Sequence, residues 1–345
     1  MTALEKALVA PKKLSVEEIA TLLGSEDKGL WHELFAAARE VKARCGKTEV
    51  LPRGLIECSN VCAKNCLYCG IRKGNGKVVR YRMPEEDVAA CIDEARRRGY
   101  PAVAFQAGEI ESEANTAYYE RLLAKCRGLE VTLSLGEQTE EVYGRWKDAG
   151  AMRYLIRIET SNRELYAKIH PAECSFDRRV GCIRTLKRLG YVTGSGVMIG
   201  LPGQTAEDLA RDIVFFGDEN LDMVGMGPYV PHGDTPMGKF QVSGFRFQVP
   251  GSGFQDSGFR FQGTDANLKH ETCNLELSLR MIALTRLYLW NVNIVAATAL
   301  EALDPANGRR RGIDAGANVV MPNLTPGKFR SDYDLYPGKT LDIRL

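Results

Sequence analysis

The chain has 345 residues, with 46 Lys and Arg against 44 Asp and Glu and a formal net charge of +2. So even a balance offers no electrostatic footprint for nucleic acid or an anionic membrane as the main partner. With 44% apolar and 26% charged residues, no apolar run of membrane length and no apolar signal core, it reads as a cytoplasmic globular protein. It is large enough for one barrel-sized domain and a small extension. Ten cysteines in a reducing compartment require an account other than a disulfide framework.

Residues 1 to about 50 read as a helical extension, with Val16, Ile19 and Leu23, then Leu34 and Val41, as its apolar positions. It is expected to cover the bottom of a barrel built from residues 51–345. From there strand-like and helix-like stretches alternate. Short β runs are expected at 54–58, 102–109, 131–136, 154–159, 196–200, 223–226, 294–298 and 318–321. Between them, Pro84 opens a helix whose apolar face is Val88, Ile92 and Ala95, with Gly99 at its end. Phe176, Val180, Ile183 and Leu186 repeat the pattern before Gly190, and Leu209, Ile213 and Phe216 repeat it again. Eight alternations predict an α/β protein, a (β/α)8 barrel of TIM type with its active site at the C-terminal ends of the strands. One segment is out of character: Ser243-Gly-Phe-Arg-Phe-Gln248 recurs as Ser257-Gly-Phe-Arg-Phe-Gln262. The repeat is too short for a solenoid unit. Residues of about 240–263 are expected to form a flexible insert, with a lid over the barrel mouth as the sharper reading.

The segment after the first strand carries the chemistry. Cys62, Cys66 and Cys69 stand in the run Cys-Ala-Lys-Asn-Cys-Leu-Tyr-Cys. Three thiolates in one short loop suit three irons of a [4Fe-4S] cubane and leave the fourth iron open to a small ligand. A structural zinc site with Cys58 as fourth ligand is the alternative, although zinc sites usually pair their ligands at two separated places. Cys58 itself reads as a buried strand residue. Arg157 and Glu159, two apart on a predicted strand, share a face and bring both charge signs to one place. The alternative there is an ion pair that stabilises a barrel layer. Arg153 shares the same face.

The spacing Cys-x3-Cys-x2-Cys, with Tyr68 before the last Cys, resembles the signature of radical S-adenosylmethionine (SAM) enzymes. Gln106-Ala-Gly-Glu109 resembles the Gly-Gly-Glu-like turn that binds the cofactor's ammonium, with Ala107 in place of its first Gly. Only a backbone carbonyl is needed at that place, so Ala is tolerable where φ is negative. Thr132-Leu-Ser-Leu-Gly-Glu137, Tyr154-Leu-Ile-Arg-Ile-Glu-Thr160, Gly200-Leu-Pro-Gly-Gln-Thr205 and Met226-Gly-Pro-Tyr-Val-Pro-His232 follow in order. With Val320-Met-Pro-Asn323 and Tyr333-Asp-Leu-Tyr-Pro-Gly338, they resemble the radical SAM family of [FeFe]-hydrogenase maturation that acts on the bridging-ligand pathway. The resemblance runs from about residue 50 to the C-terminus apart from the insert.

That resemblance implies a [4Fe-4S] cluster on Cys62, Cys66 and Cys69 and S-adenosyl-L-methionine as second cofactor. The cofactor would meet Tyr68, Gln106, Ala107, Gly108, Glu109, Ser134, Glu137, Arg157, Glu159, Met198, Gly200, Leu201, Met226 and Tyr229. Arg153, Thr298, Met321, Tyr333 and Tyr336 would form the substrate end. The implied enzyme is oxygen-sensitive, cleaves its cofactor to a 5′-deoxyadenosyl radical and needs no acid–base dyad. It would act on a cysteine-ligated iron intermediate, a small organometallic or thiol amino-acid substrate, in building the bridging dithiolate of the di-iron subcluster. Its partners would be a low-potential electron donor of ferredoxin or flavodoxin type and other hydrogenase maturation proteins. Methylornithine synthase and biotin synthase are rival enzyme readings. The second cluster of biotin synthase is disfavoured because Cys91, Cys126, Cys182 and Cys273 fall in or beside helices and Cys174 in a loop. A non-catalytic iron–sulfur carrier is the remaining alternative.

Overall fold

A computed structural model describes residues 2–239 and 264–338; the repeat-bearing insert at about 240–263 lies outside the described residues. The strands are β1 Leu51–Ser59, β2 Ala102–Ala107, β3 Glu130–Ser134, β4 Arg153–Leu155, β5 Val192–Ser195, β6 Met198–Ile199, β7 Met223–Pro228, β8 Asn293–Ala296 and β9 Val319–Val320. The helices before the barrel are α1 Ala3–Val9, α2 Val16–Gly24 and α3 Lys28–Arg44. Those between the strands are α4 Glu85–Arg97, α5 Glu113–Ala124, α6 Glu140–Asp148, α7 Arg163–Ile169, α8 Phe176–Arg188, α9 Ala206–Asp218, α10 Thr264–Leu289, α11 Thr298–Leu303 and α12 Gly308–Asp314. A last turn, α13 Gly327–Arg330, precedes the C-terminal segment.

Every strand pairing is parallel, in the order β5-β4-β3-β2-β1-β9-β8-β7, and β5 pairs with β7 to close the ring. This is the eight-stranded (β/α)8 barrel that the alternating pattern predicts. Parallel strands need crossover helices, and each helix buries the stripe facing the sheet. On α4, for example, Val88, Cys91, Ile92 and Ala95 are buried, and on α9 Leu209, Ile213 and Phe216. Capping fixes where the helices begin. Ser175 accepts from Arg178 N before α8, and Thr205 with Asp208 forms a capping box before α9.

Two strands differ from the expected positions. The fifth barrel strand is Val192–Ser195, not 196–200; the latter stretch carries the two-residue β6, which pairs with the far end of β7 at Gly227 and Pro228. The reason is closure of the ring. A Cβ at Gly196 would sit 1.7 Å from Gly225 O, so the backbones of the β5 end and β7 meet only because residue 196 is glycine. The fourth strand stops at Leu155, short of Arg157 and Glu159.

Helices α2 and α3 pack on α9 and α10, and the Lys42 ammonium donates to Ile313 O at 3.1 Å. Beneath them Arg286 is fully buried on α10. Its guanidinium donates to Gly316 O, Trp290 O, Val292 O and Asn318 Oδ1, tying together the turns that lead into β8 and β9. Among the described residues no helix is long and apolar enough to cross a membrane.

Candidate active site at the barrel mouth

A cavity of about 350 Å³ occupies the barrel and opens at the C-terminal ends of its strands. The β1–β2 register slips between Glu57 and Ser59, and this irregularity turns the chain out of β1 into the cysteine loop. The loop is then held from three sides: Ala63 N donates to Glu109 O at 2.8 Å, Gly108 N to Ser59 O at 3.0 Å, and Leu67 N to Ile169 O at 3.0 Å. Cys62, Cys66 and Cys69 all line the cavity, and Glu109 N donates to Cys62 Sγ at 3.3 Å. Burial raises the Cys62 thiol and pushes Cys69 up to about 12. Cys66 is raised first by its hydrogen bond with Cys174 and then by burial.

Glycine is required beside this loop for a steric reason. A Cβ at Gly108 would lie 2.3 Å from Val61 O and 2.7 Å from Cys62 Cβ. Ala107, by contrast, ends β2 with an ordinary negative φ, which meets the condition for replacing the glycine of the resembled turn.

Charged side chains of both signs meet at the mouth. Arg157 clamps Glu159 through Nε and Nη2 at 2.8–3.0 Å, donating also to Gly225 O at 2.7 Å and Val197 O at 2.9 Å. Their contact does not come from strand alternation: Glu159 has φ +66°, a left-handed conformation that costs a non-glycine residue on the order of 1 kcal/mol or more. The turn is locked from behind, where Ser161 N donates to Asp212 Oδ1 at 2.6 Å and Asn162 Nδ2 to Asp208 Oδ1 at 2.7 Å. On the adjoining wall Lys64 pairs with Glu109 at 3.0 Å and with Glu137 at 3.5 Å. The Arg179 guanidinium, buried on α8, donates to Glu137 Oε1 at 2.6 Å and Arg157 O at 2.6 Å. Burial acts to raise Glu137, but Arg179, Lys64 and Arg178 outweigh it and lower its pKa. Glu109 ends raised because burial dominates.

An apolar cluster flanks the loop, with Leu67 and Tyr68 against Leu165, Ile169, Met198, Leu201, Tyr229 and Met237. Tyr68 OH lies 3.2 Å from His170 Nε2, while His170 Nδ1 lies 3.0 Å from Tyr166 O. A carbonyl can only accept, so Nδ1 carries the proton and Nε2 accepts from the phenol. Burial, with Arg179 adding to it, pushes His170 down to about 4, and the ring is neutral. Opposite, Thr298 Oγ1 and Tyr336 OH are 2.5 Å apart, and Met321 and Tyr333 complete that wall.

Of the residues singled out in the sequence, Tyr68, Gln106, Ala107, Gly108, Glu109, Ser134, Arg157, Glu159, Met198, Tyr229, Thr298, Met321, Tyr333 and Tyr336 line the cavity with the three cysteines. Glu137 and Leu201 stand one layer back, as just described. Gly200 is a turn residue with φ +87° whose Cβ would strike Asn274 at 2.3 Å. Met226 is fully buried, with its sulfur toward Thr285. Arg153 departs most from its expected place. As the first residue of β4 it lies at the opposite end of that strand from the mouth and is ion-paired with Glu130, outside the cavity wall. Cys58 is fully buried in the core near Cys91 and Cys126, which removes it as a fourth ligand for the loop. Sequence reasoning missed Lys64, His170, Arg179 and the approach of Cys174 to Cys66. Arg178-Arg179 reads as a solvated helix face, and nothing local announces that the second guanidinium turns inward.

Residues 56–216 match the family model of the radical SAM superfamily. The chain is 39% identical over 334 residues to the [FeFe] hydrogenase maturase subunit HydE of Thermotoga maritima, covering 95% of this chain and 85% of the relative. It is 25% identical over 323 residues to 3-methylornithine synthase of Methanosarcina barkeri, covering 91% and 81%. The crystal structure of methylornithine synthase (PylB) superposes with a TM-score of 0.74 at 23% identity, over 93% of this chain and 85% of that one. That of the [FeFe]-hydrogenase maturase HydG superposes at 0.76 and 19% identity, over 99% and 71%; at such identities both speak for the barrel alone. The chain belongs to the radical SAM superfamily and, within it, to the family of the maturase subunit HydE.

Members of this superfamily are enzymes that use a [4Fe-4S] cluster and S-adenosylmethionine. The residues present fit both groups. The loop offers three cavity-facing thiols, a backbone N–H already aimed at one sulfur and a floor that a single Cβ would fill. Among the described residues no three His, Cys, Asp or Glu side chains are grouped to hold one metal ion. A cubane, in which each thiolate takes its own iron, needs only these three thiols, whereas a four-thiol zinc site would lack Cys58.

Proposed function

We propose that this enzyme matures [FeFe]-hydrogenase, acting on a small thiol- or cysteine-bearing iron intermediate to build the bridging dithiolate of the di-iron subcluster. The observation that carries the reading is one cavity in which the three-thiol loop, two opposed charge pairs and a phenol-and-hydroxyl wall face one another, in a chain of the HydE family. When bound, the cluster and S-adenosylmethionine supply an electron and a carbon-centred radical.

The chain's own residues do the binding and orienting. Glu109 and Glu159 provide carboxylates for the ligand's ammonium and ribose, and the Gln106–Gly108 backbone passes close to the loop. Arg157 already commits Nε, Nη1 and Nη2 to protein acceptors, so its role is to aim Glu159. Arg179, with fewer such bonds, is the guanidinium for the ligand's carboxylate. Tyr68 and its apolar neighbours give a flat, dry face for an aromatic base. Thr298 and Tyr336 present hydroxyls at the far end, where a small polar substrate would sit. Packing around the loop keeps water from a reactive radical. A low-potential protein donor of ferredoxin or flavodoxin type and the other maturation proteins are the expected partners.

Anaerobic reconstitution followed by cofactor cleavage with dithionite tests the class. Cys62→Ala, Cys66→Ala and Cys69→Ala should each abolish the cluster and Cys58→Ala should keep it, whereas stoichiometric zinc without an iron signal would sink the reading. Activation of an apo-hydrogenase in the presence of the other maturation proteins tests the role. Should lysine stimulate cleavage and yield a rearranged amino acid, while sulfur-bearing substrates do nothing, the methylornithine synthase reading replaces it.

A further inference from the structure

Between Ile71 and Met83 the sequence carries Arg72, Lys73, Lys77, Arg80 and Arg82 and no carboxylate. The run begins three residues after Cys69 and folds back on the cysteine loop. Arg72 N donates to Cys69 O at 3.1 Å and Lys73 N to Lys64 O at 2.8 Å. The Arg72 guanidinium donates to Cys66 O at 3.2 Å, and Gly74 N to Asn65 Oδ1 at 2.9 Å. Arg80 staples the run from beneath, donating to Asn60 O, Ile71 O and Arg72 O at 2.6–2.7 Å. The segment is therefore a fixed platform, and two of its cations serve to hold it.

Other members of the run face outward. Lys73 and Lys77 are exposed, and Val79, 66% exposed, is one of the few large apolar side chains left in solvent among the described residues. Among the described residues the only acidic side chain paired with an outward lysine of this run is Asp234, which meets Lys77 at 2.5 Å and is itself partly exposed. Lys73 has no such pair among the described residues. Exposed cations and an exposed apolar side chain on one short segment, joined to the backbone of Cys66 and Cys69 by direct hydrogen bonds, suit a transient protein contact better than a solvated loop.

We propose that this platform, centred on Lys73, Lys77 and Val79, is the docking surface for a small acidic one-electron carrier of ferredoxin or flavodoxin type. The assignment rests on the proposed radical SAM function, which needs electrons one at a time at the cysteine loop. In the step itself one electron passes from the reduced carrier to the cluster held by Cys62, Cys66 and Cys69. The carrier is oxidised by one electron, no bond forms or breaks, and no proton moves. Charge complementarity selects the occupant. Steering by rim charges mainly raises the association rate and fades with salt. A near-neutral chain with a short basic platform suits a small acidic protein better than a polyanion that needs an extended basic track.

The test uses cluster-loaded protein and the variants Lys73→Glu, which leaves the Lys77–Asp234 pair intact, and K73E/K77E. Lys12→Glu with Lys13→Glu, exposed at the other end of the chain, is the control. An acidic ferredoxin and an acidic flavodoxin are each used as donor, with stopped-flow cluster reduction and calorimetric affinity as readouts, and dithionite as the small reductant. K73E/K77E should lose about ten-fold or more in donor-driven reduction rate at low salt and Lys73→Glu an intermediate amount. Iron content and dithionite-driven cofactor cleavage should match wild type, and the gap should close as salt is raised. Unchanged donor kinetics in K73E/K77E would overturn the assignment, as would a wild-type enzyme reduced by dithionite but by neither carrier. Binding to vesicles of anionic phospholipid that is lost in K73E/K77E while donor kinetics stay unchanged would give the face to a membrane instead. Absence of cofactor cleavage with every reductant in wild type would strike at the radical SAM reading itself, a result distinct from all of these.

Discussion

Replacing Asp212 by Asn should stabilise the protein at neutral and alkaline pH and remove a pH dependence. Asp212 is fully buried on α9, where its Oδ1 accepts from Ser161 N and holds the turn that carries Glu159. Burial pushes its carboxyl up to about 7 from the ordinary 3.8, the Ser161 hydrogen bonds oppose the rise, and Asp208 and Glu159 add to it. The folded pKa lies above the unfolded one, so the folded state binds this proton more tightly. The resulting stability is fully present below about pH 4 and is lost as the pH climbs to about 7. Roughly three pKa units at about 1.4 kcal/mol each make the loss on the order of 4 kcal/mol. Asn keeps an acceptor for Ser161 N and has no charge to bury, so the variant should escape that loss. Urea unfolding of both proteins from pH 4.5 to 8.5 measures it, because every other titrating group is common to the two. The difference should be small near pH 4.5, grow in favour of the variant up to about pH 7 and then level off. A difference flat with pH, or a variant less stable than wild type at pH 8, would refute the argument.

Gly108→Ala should cost most of the iron taken up on reconstitution, because the new Cβ, 2.3 Å from Val61 O, displaces the backbone that presents Cys62; Ala107→Gly should be harmless, and a fully loaded Gly108→Ala protein would contradict the steric reading. Arg179→Ala and Glu159→Ala should each weaken S-adenosylmethionine binding by on the order of 1.5–3 kcal/mol at unchanged iron content, and calorimetry showing wild-type affinity in both would leave these residues a purely structural role. Arg286→Met should destabilise the fold by on the order of 2–4 kcal/mol, since the buried Gly316 O and Val292 O lose their guanidinium donor and Asn318 Oδ1 keeps only Ile294 N; a denaturation midpoint within error of wild type would show that water or repacking replaces it.

How far the fold was legible follows from where its signals lie. Buried parallel strands such as Ala102–Ala107 are apolar on both faces, and helices such as α4 carry a stripe, a start and a glycine stop, so the alternation shows in composition. The fifth strand was misplaced because its residues, Val-Thr-Gly-Ser, are small and polar, chosen for close approach to β7, while the more apolar Gly196-Val-Met-Ile-Gly200 belongs to the mouth. The cysteine loop was legible because its chemistry demands fixed spacing along the chain. Arg179 and Lys64 were not, since their roles depend on helix and loop directions that only the closed barrel defines. Glu159 sits between these cases: its residue type was noticed, but its left-handed backbone is enforced by Asp212 and Asp208, some fifty positions later.

With the cluster and S-adenosylmethionine bound as proposed, the charges at the mouth would call for a strong reductant. Lys64, Arg157, Arg178 and Arg179 stand against Glu109, Glu111, Glu137 and Glu159, so the protein's own contribution is close to neutral. Three thiolates around an oxidised cubane core leave one net negative charge, and a sulfonium amino acid with its ammonium and carboxylate brings one positive charge. The assembled site is then balanced, which a desolvated interior favours because unpaired buried charge is costly. An added electron would break that balance in a largely desolvated site. Hydrogen bonds to sulfur, such as the one from Glu109 N to Cys62, recover part of the cost, and net charge and burial set the rest. Replacing a buried cation of this network therefore makes reduction harder, whereas replacing a surface cation such as Lys73 leaves the potential alone and changes only the approach of the donor.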